Sequence, residues 1–170
     1  MDSGQIESVF RLNDQTKSLY GGILAINEVP NEFQGGKIYI INTGRRSSEE
    51  INHWYFIYME KSRKVGYFID TFGNKPRDKQ IIMALINSCD VIMYNNKEIQ
   101  SKLSDKCGHY CCYMLIMISR GFDIETIVKR HFSHEPKDYL INDAFVSLVI
   151  SNLTSIPLTP LINIPQIIIG

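Results

Sequence analysis

Apolar positions along the chain change period several times, and each change marks an element. Ile6, Val9 and Phe10 recur at helical spacing within residues 4–12, which predicts a short helical lead-in. Gly21, Gly22, Pro30, Gly35 and Gly36 punctuate the stretch that follows, which reads as loop. The runs KIYIIN (37–42), WYFIYM (54–59) and VGYFID (65–70) are dense in Ile, Tyr and Phe and predict strands. The last two predict a hairpin closed by residues 61–64. Ile81, Ile82, Leu85 and Ile86 share one helical face within residues 77–88, and VIMY (91–94) returns to a strand pattern. Three further helices are predicted near 107–119, 124–131 and 137–152. Strands first and helices later imply an α+β fold with helices packed on a mostly antiparallel central sheet.

No repeat or low-complexity linker interrupts this pattern, so residues 1–155 are expected to form a single domain. Residues 156–170 are apolar but cut by Pro157, Pro160 and Pro165. They predict an extended tail too short and too broken for a membrane span. Left in water such a tail is an aggregation liability, so it is expected to dock on the domain or on a neighbour and to regulate it. The start, MDSGQIES, has neither the basic nor the apolar region of a secretory signal, and no secretion is expected.

Composition narrows the function classes. The chain has 170 residues, 18 Lys+Arg against 18 Asp+Glu, and 44% apolar residues. Those values suit a globular domain that needs no disulfide scaffold. Zero net charge removes the usual basis for nucleic-acid affinity, so any DNA contact must be local. Lys61, Arg63, Lys64, Lys75, Arg77 and Lys79 are the residues available for one.

The chemistry concentrates in Cys107-Gly108-His109-Tyr110-Cys111-Cys112, and three readings of it compete. Cys111 and Cys112 run into an apolar helix and suit core packing. A zinc site drawing on Cys107, His109, Cys111, Cys112, His131 and His134 is a second reading, with spacing unlike the usual knuckles. In the third, Cys107 is a nucleophile. With Ser104 or Asp105 as N-cap it lies in the first helical turn, where free N–H groups and the helix dipole favour a thiolate. Gly108 beside it leaves room for a substrate backbone.

A thiolate nucleophile needs a base, and His53 stands at the mouth of a hairpin strand. A turn centred between Ser62 and Arg63 sets His53 opposite Phe72 and makes Asp70 its same-face diagonal neighbour. Such Cα atoms lie about 7–8 Å apart, within reach of a His–carboxylate hydrogen bond. A developing oxyanion needs donors, which the Cys107 N–H and a side-chain amide supply together. Gln100, seven residues upstream, is the candidate amide.

The order His53, Asp70, Gln100, Cys107 resembles the adenovirus-type cysteine endopeptidases (adenain), in the clan that includes the SUMO-deconjugating peptidases. Ile41-Asn42-Thr43 leads to His53-Trp54. Asp70-Thr71-Phe72-Gly73 is similar to that family's acidic residue followed by Pro-Phe-Gly, and Cys107-Gly108-x-x-Cys111-Cys112 to its Cys-Gly-Leu-Phe-Cys-Cys. The likeness runs from about residue 5 to 150. Thr71 stands in place of proline, Asp70 in place of Glu, and His109 where that family carries an apolar residue.

The resemblance implies an adenain-type, papain-like core with His53 as general base, Asp70 as its orienter, Gln100 as oxyanion donor and Cys107 as nucleophile. It sets Trp54 and Gly108 against the substrate. The activity implied is that of a viral cysteine endopeptidase cleaving capsid or core precursor proteins at Gly-containing motifs during virion maturation. Virion and host-cell virus factory are its expected locations, and a virophage or polinton-like virus its expected source. No cofactor is required for the chemistry, although the resemblance brings a peptide or DNA activator, with Cys89 at the position of the peptide link. Two alternatives stay open: an isopeptidase of the same clan acting on ubiquitin-like tails, and a non-enzymatic zinc-stabilised interaction domain.

Overall fold

The three central strands are apolar on both sides, and both sides are covered. The computed structural model describes residues 1–44 and 52–158. It is an α+β arrangement in which five strands, β1 (Tyr20–Ala25), β2 (Ile38–Asn42), β3 (Trp54–Met59), β4 (Val65–Ile69) and β5 (Val91–Tyr94), form one sheet in that order. The α-helices among the described residues are α1 (Ser3–Phe10), α2 (Asp14–Ser18), α3 (Lys79–Ser88), α4 (Cys107–Ser119), α5 (Ile124–Arg130) and α6 (Tyr139–Leu153). None of them is long and apolar enough to cross a membrane.

Alternation along the strands separates two cores. Ile38, Ile40, Trp54, Phe56, Tyr67 and Ile69 point into a cluster with Ile6, Phe10, Tyr110 and Val146, contributed by α1, α4 and α6. Tyr39, Ile41, Ile57, Met59 and Phe68 point to the opposite face, where Ile81, Ala84 and Leu85 of α3 cover them. Helix α4 is buried continuously from Cys107 to Met117, which accounts for a segment without a polar face. Ile156 is buried in the first cluster, and the expected tail beyond residue 158 lies outside the described residues.

The sheet is mixed, which corrects the mostly antiparallel expectation. Strands β2, β3 and β4 pair antiparallel, but β1 runs parallel to β2 and β4 parallel to β5. The physical reason for the second pair is α3, which crosses over between β4 and β5 and so returns the chain in the same direction. Strand β1 occupies part of the stretch read as loop, because its two glycines have a different task. A Cβ on Gly21 would stand 2.7 Å from the Tyr39 ring and 2.8 Å from the Ile38 carbonyl. Glycine there is what lets β1 approach β2.

The β3–β4 hairpin has the predicted register, with Phe56 opposite Ile69 and Tyr58 opposite Tyr67. Arg63 takes the left-handed turn conformation, φ 60°. Its guanidinium donates to the carbonyls of Ser88 at 2.9 Å and Asn87 at 3.2 Å and pairs with Glu32. It braces the turn to the end of α3, so it is not a loose member of a basic face.

Candidate active site

The hairpin register delivers His53 to the end of β4. Beyond the last β2–β3 pair, the His53 N–H donates to Thr43 Oγ1 at 3.0 Å and the Thr43 N–H donates to the His53 carbonyl at 2.9 Å. The imidazole stacks on Phe72, with centroids 4.8 Å apart, and meets Tyr55 edge-on at 5.3 Å. Between those rings its Nε2 lies 2.7 Å from Asp70 Oδ1. Cys107 is the other group that acts on this ring. Burial alone pushes the His53 pKa down; the hydrogen bonds to Asp70 and Cys107 and the attraction of their charges outweigh it and raise it to about 9.

Asp70 is 2% exposed, which by itself disfavours its charge. Hydrogen bonds from His53, from the Phe72 N–H at 2.9 Å and from Asn74 Nδ2 at 2.9 Å overcome that and hold its pKa below the ordinary value. Asn95 fixes its backbone, accepting from the Asp70 N–H at 3.0 Å and donating to the Asp70 carbonyl at 2.5 Å. The side-chain amide thereby adds one more rung after the β4–β5 ladder ends at Phe68 and Tyr94. Gly73 completes the turn at φ +74°, and a Cβ there would stand 2.6 Å from the Lys97 carbonyl carbon. Gly73→Ala is therefore expected to cost about 2–3 kcal/mol of stability and to lower the melting temperature. An unchanged melting temperature would remove this packing constraint.

Cys107 is the first residue of α4 and 6% exposed. The N-cap is Lys106, not Ser104 or Asp105, and its side chain makes no capping bond. The loop before the helix is pinned from elsewhere. Asp143 of α6, fully buried, accepts from the Tyr110 hydroxyl at 2.8 Å and from the Ser101 N–H at 3.3 Å. Asn142 donates to the Ile99 carbonyl at 2.8 Å, which also accepts from Tyr110. With the loop held by these contacts, no local capping residue is required to set the helix start.

Trp54 and Gly108 lie together, with Gly108 next to Cys107 in the chain. The space that a Gly108 side chain would take holds Met1 Cβ, 2.9 Å from an ideal Cβ, and Trp54 Cδ1 at 3.3 Å. Gly108 thus admits neighbours from the same chain. Trp54 is 6% exposed, and its indole N–H donates to the Met1 carbonyl at 3.0 Å. In this arrangement it is chiefly a wall of the core.

Gln100 is 1% exposed. Its Oε1 accepts from Thr71 Oγ1 at 2.6 Å, and its Nε2 donates to the Ser104 carbonyl at 2.9 Å. Ile99 and Gln100 N–H groups both donate to the Thr71 carbonyl, at 2.9 and 3.3 Å. The acidic turn and the loop leading to Cys107 are therefore laced together. Sequence reasoning named Asp70 and Gln100, took Ser104 only for a helix cap, and did not name Asn95, Asn142 or Asp143. Their only signal is polarity where the chain is buried, which spacing does not reveal.

The other thiols have different surroundings. Burial raises the pKa of Cys111 and Cys112, both enclosed in the core. Cys89 ends α3 with its Sγ against the Leu85 carbonyl at 3.3 Å, and burial raises its pKa too. It faces Gly66, four residues before Asp70 along the chain, or ~13 Å at strand spacing. His131 Nδ1 is taken by the Tyr113 hydroxyl at 2.8 Å. Among the described residues no three His, Cys, Asp or Glu side chains converge as a metal site. Compared with the models of known protein families and with curated proteins, the chain matches none.

Proposed function

We propose that this chain is a thiol peptidase of the adenain type, with Cys107 as nucleophile, His53 as acid and base, Asp70 as the orienting carboxylate and Gln100 as oxyanion donor. The observation that carries the reading is the pairing of His53 with the buried Asp70, together with the influence of Cys107 on the same imidazole. A buried carboxylate 2.7 Å from Nε2, with Cys107 acting on the same ring, raises the imidazole pKa to about 9, so that His53 is imidazolium at neutral pH. The Cys107 sulfur attacks a peptide carbonyl, the C–S bond forms, and the carbonyl π pair moves onto oxygen. Collapse breaks the C–N bond as His53 gives its proton to the leaving amine. Neutral His53 then takes a proton from water, hydroxide adds to the thioester, and loss of the thiolate restores the ion pair.

The substrates that fit the resemblance are capsid or core precursors cut at glycine-containing motifs during maturation, in the virion or the virus factory. An activating peptide or DNA belongs to the same reading. The test is a pair of fluorogenic substrates, an apolar-x-Gly-Gly peptide and a full ubiquitin-like protein carrying the same C-terminal reporter. Cleavage of the peptide, abolished by prior alkylation of Cys107, is the expected result. Preference for the folded ubiquitin-like substrate would move the assignment to an isopeptidase. No turnover of either, with capsid precursors also left intact, would overturn it.

A further inference from the structure

Thr71 is buried at 1% exposure, and its hydroxyl reaches the Gln100 side chain. It donates at 2.6 Å to the oxygen of the Gln100 carboxamide, while the nitrogen of that amide faces the Ser104 carbonyl at 2.9 Å. A carbonyl oxygen only accepts, so the nitrogen must lie on the Ser104 side and the oxygen on the Thr71 side. The two contacts fix which way round the amide sits. Without the hydroxyl, Oε1 is a buried acceptor with no donor, and a half-turn of the amide becomes competitive. That half-turn exchanges a donor for an acceptor on the Ser104 side of the amide.

We infer that Thr71 is a positioning residue for the oxyanion site: its hydroxyl locks the Gln100 amide so that its nitrogen, which donates to the Ser104 carbonyl at 2.9 Å and lies 3.3 Å from the Ser104 hydroxyl, is the end that serves the oxyanion. The inference rests on the peptidase reading and deepens it. It ties the device to the acid as well, because Thr71 follows Asp70 directly and its carbonyl accepts from Ile99 and Gln100. The carboxylate that orients His53 and the hydroxyl that orients Gln100 are neighbours on one turn. A shift of that turn moves both halves of the machinery together.

The test compares two reactions of Cys107 in the full chain. Acylation by p-nitrophenyl acetate builds an oxyanion, whereas alkylation by iodoacetamide does not. Thr71→Val should slow acylation roughly 10- to 100-fold and leave alkylation within about twofold of wild type. Thr71→Ser should restore acylation, and adding Thr71→Val to Gln100→Ala should cause no further loss. Thr71→Ala repeats the comparison with a smaller side chain should the valine variant fold poorly. Unchanged acylation, or an equal loss in both reactions, overturns the inference while leaving the peptidase reading in place. Wild-type Cys107 that reacts with the ester no faster than a simple thiol overturns both.

Discussion

Cys107→Ala is expected to remove all peptide cleavage and leave the protein folded. The residue opens α4 at its first position, so alanine meets no steric conflict and suits a helix. Losing one sulfur from a side chain that is 6% exposed is a small packing change. The chemistry, however, has no second candidate thiol with an imidazole partner: Cys111 and Cys112 have pKa values raised by burial, and Cys89 lies toward the far end of β4. The variant should also leave a mark on His53. Its pKa of about 9 draws partly on the hydrogen bond and charge of Cys107, so removing the sulfur should lower it in an NMR titration. Turnover at the wild-type level in folded Cys107→Ala protein would remove Cys107 from the mechanism. Limited alkylation at neutral pH that labels Cys111 or Cys112 before Cys107 would count against it as well.

What the sequence made legible was whatever depended on local period or on one turn. The hairpin is the clearest case: two dense apolar runs with a short connection set the register, and the register alone carried His53 to Asp70. Helix α4 was legible for the same kind of reason, because an apolar run of that length has to be buried whichever face it turns. Direction of pairing was not legible at the sheet edges. β5 is four residues long and its orientation depends on the α3 crossover. β1 was hidden by Gly21 and Gly22, whose role becomes visible only once Tyr39 is placed beside them. The supports of the site were hidden more deeply. Asn95, Asn142 and Asp143 hold Asp70 and the Gln100 loop through contacts spanning 25 to 43 residues. Each is an ordinary polar residue in its own window, and only the tertiary fold makes it a buried partner.

His53→Ala should reduce turnover roughly 10³- to 10⁴-fold, because it removes both the acid of the first half-reaction and the base of the second. Asp70→Asn should be milder. The carboxylate orients the ring and favours its protonated form without taking the proton itself, and Asn74, the Phe72 N–H and Asn95 still define that turn. The pH dependence separates the two roles. The His53 pKa is raised in the folded protein, from 6.5 to about 9, so its contribution to stability is fully present below 6.5 and is lost as pH rises through about 9. Asp70 has the opposite sign: its lowered pKa gives stability above the ordinary carboxylate range, lost as pH falls through its folded value. Wild-type turnover should therefore hold through neutral pH and fall on the alkaline side near 9, where His53 no longer has a proton for the leaving amine. In Asp70→Asn that alkaline limb should move toward neutrality, because the largest contact raising the His53 pKa is gone. An alkaline limb that stays in place in Asp70→Asn, with His53 titrating as in wild type, would show that the carboxylate does not tune the imidazole at all.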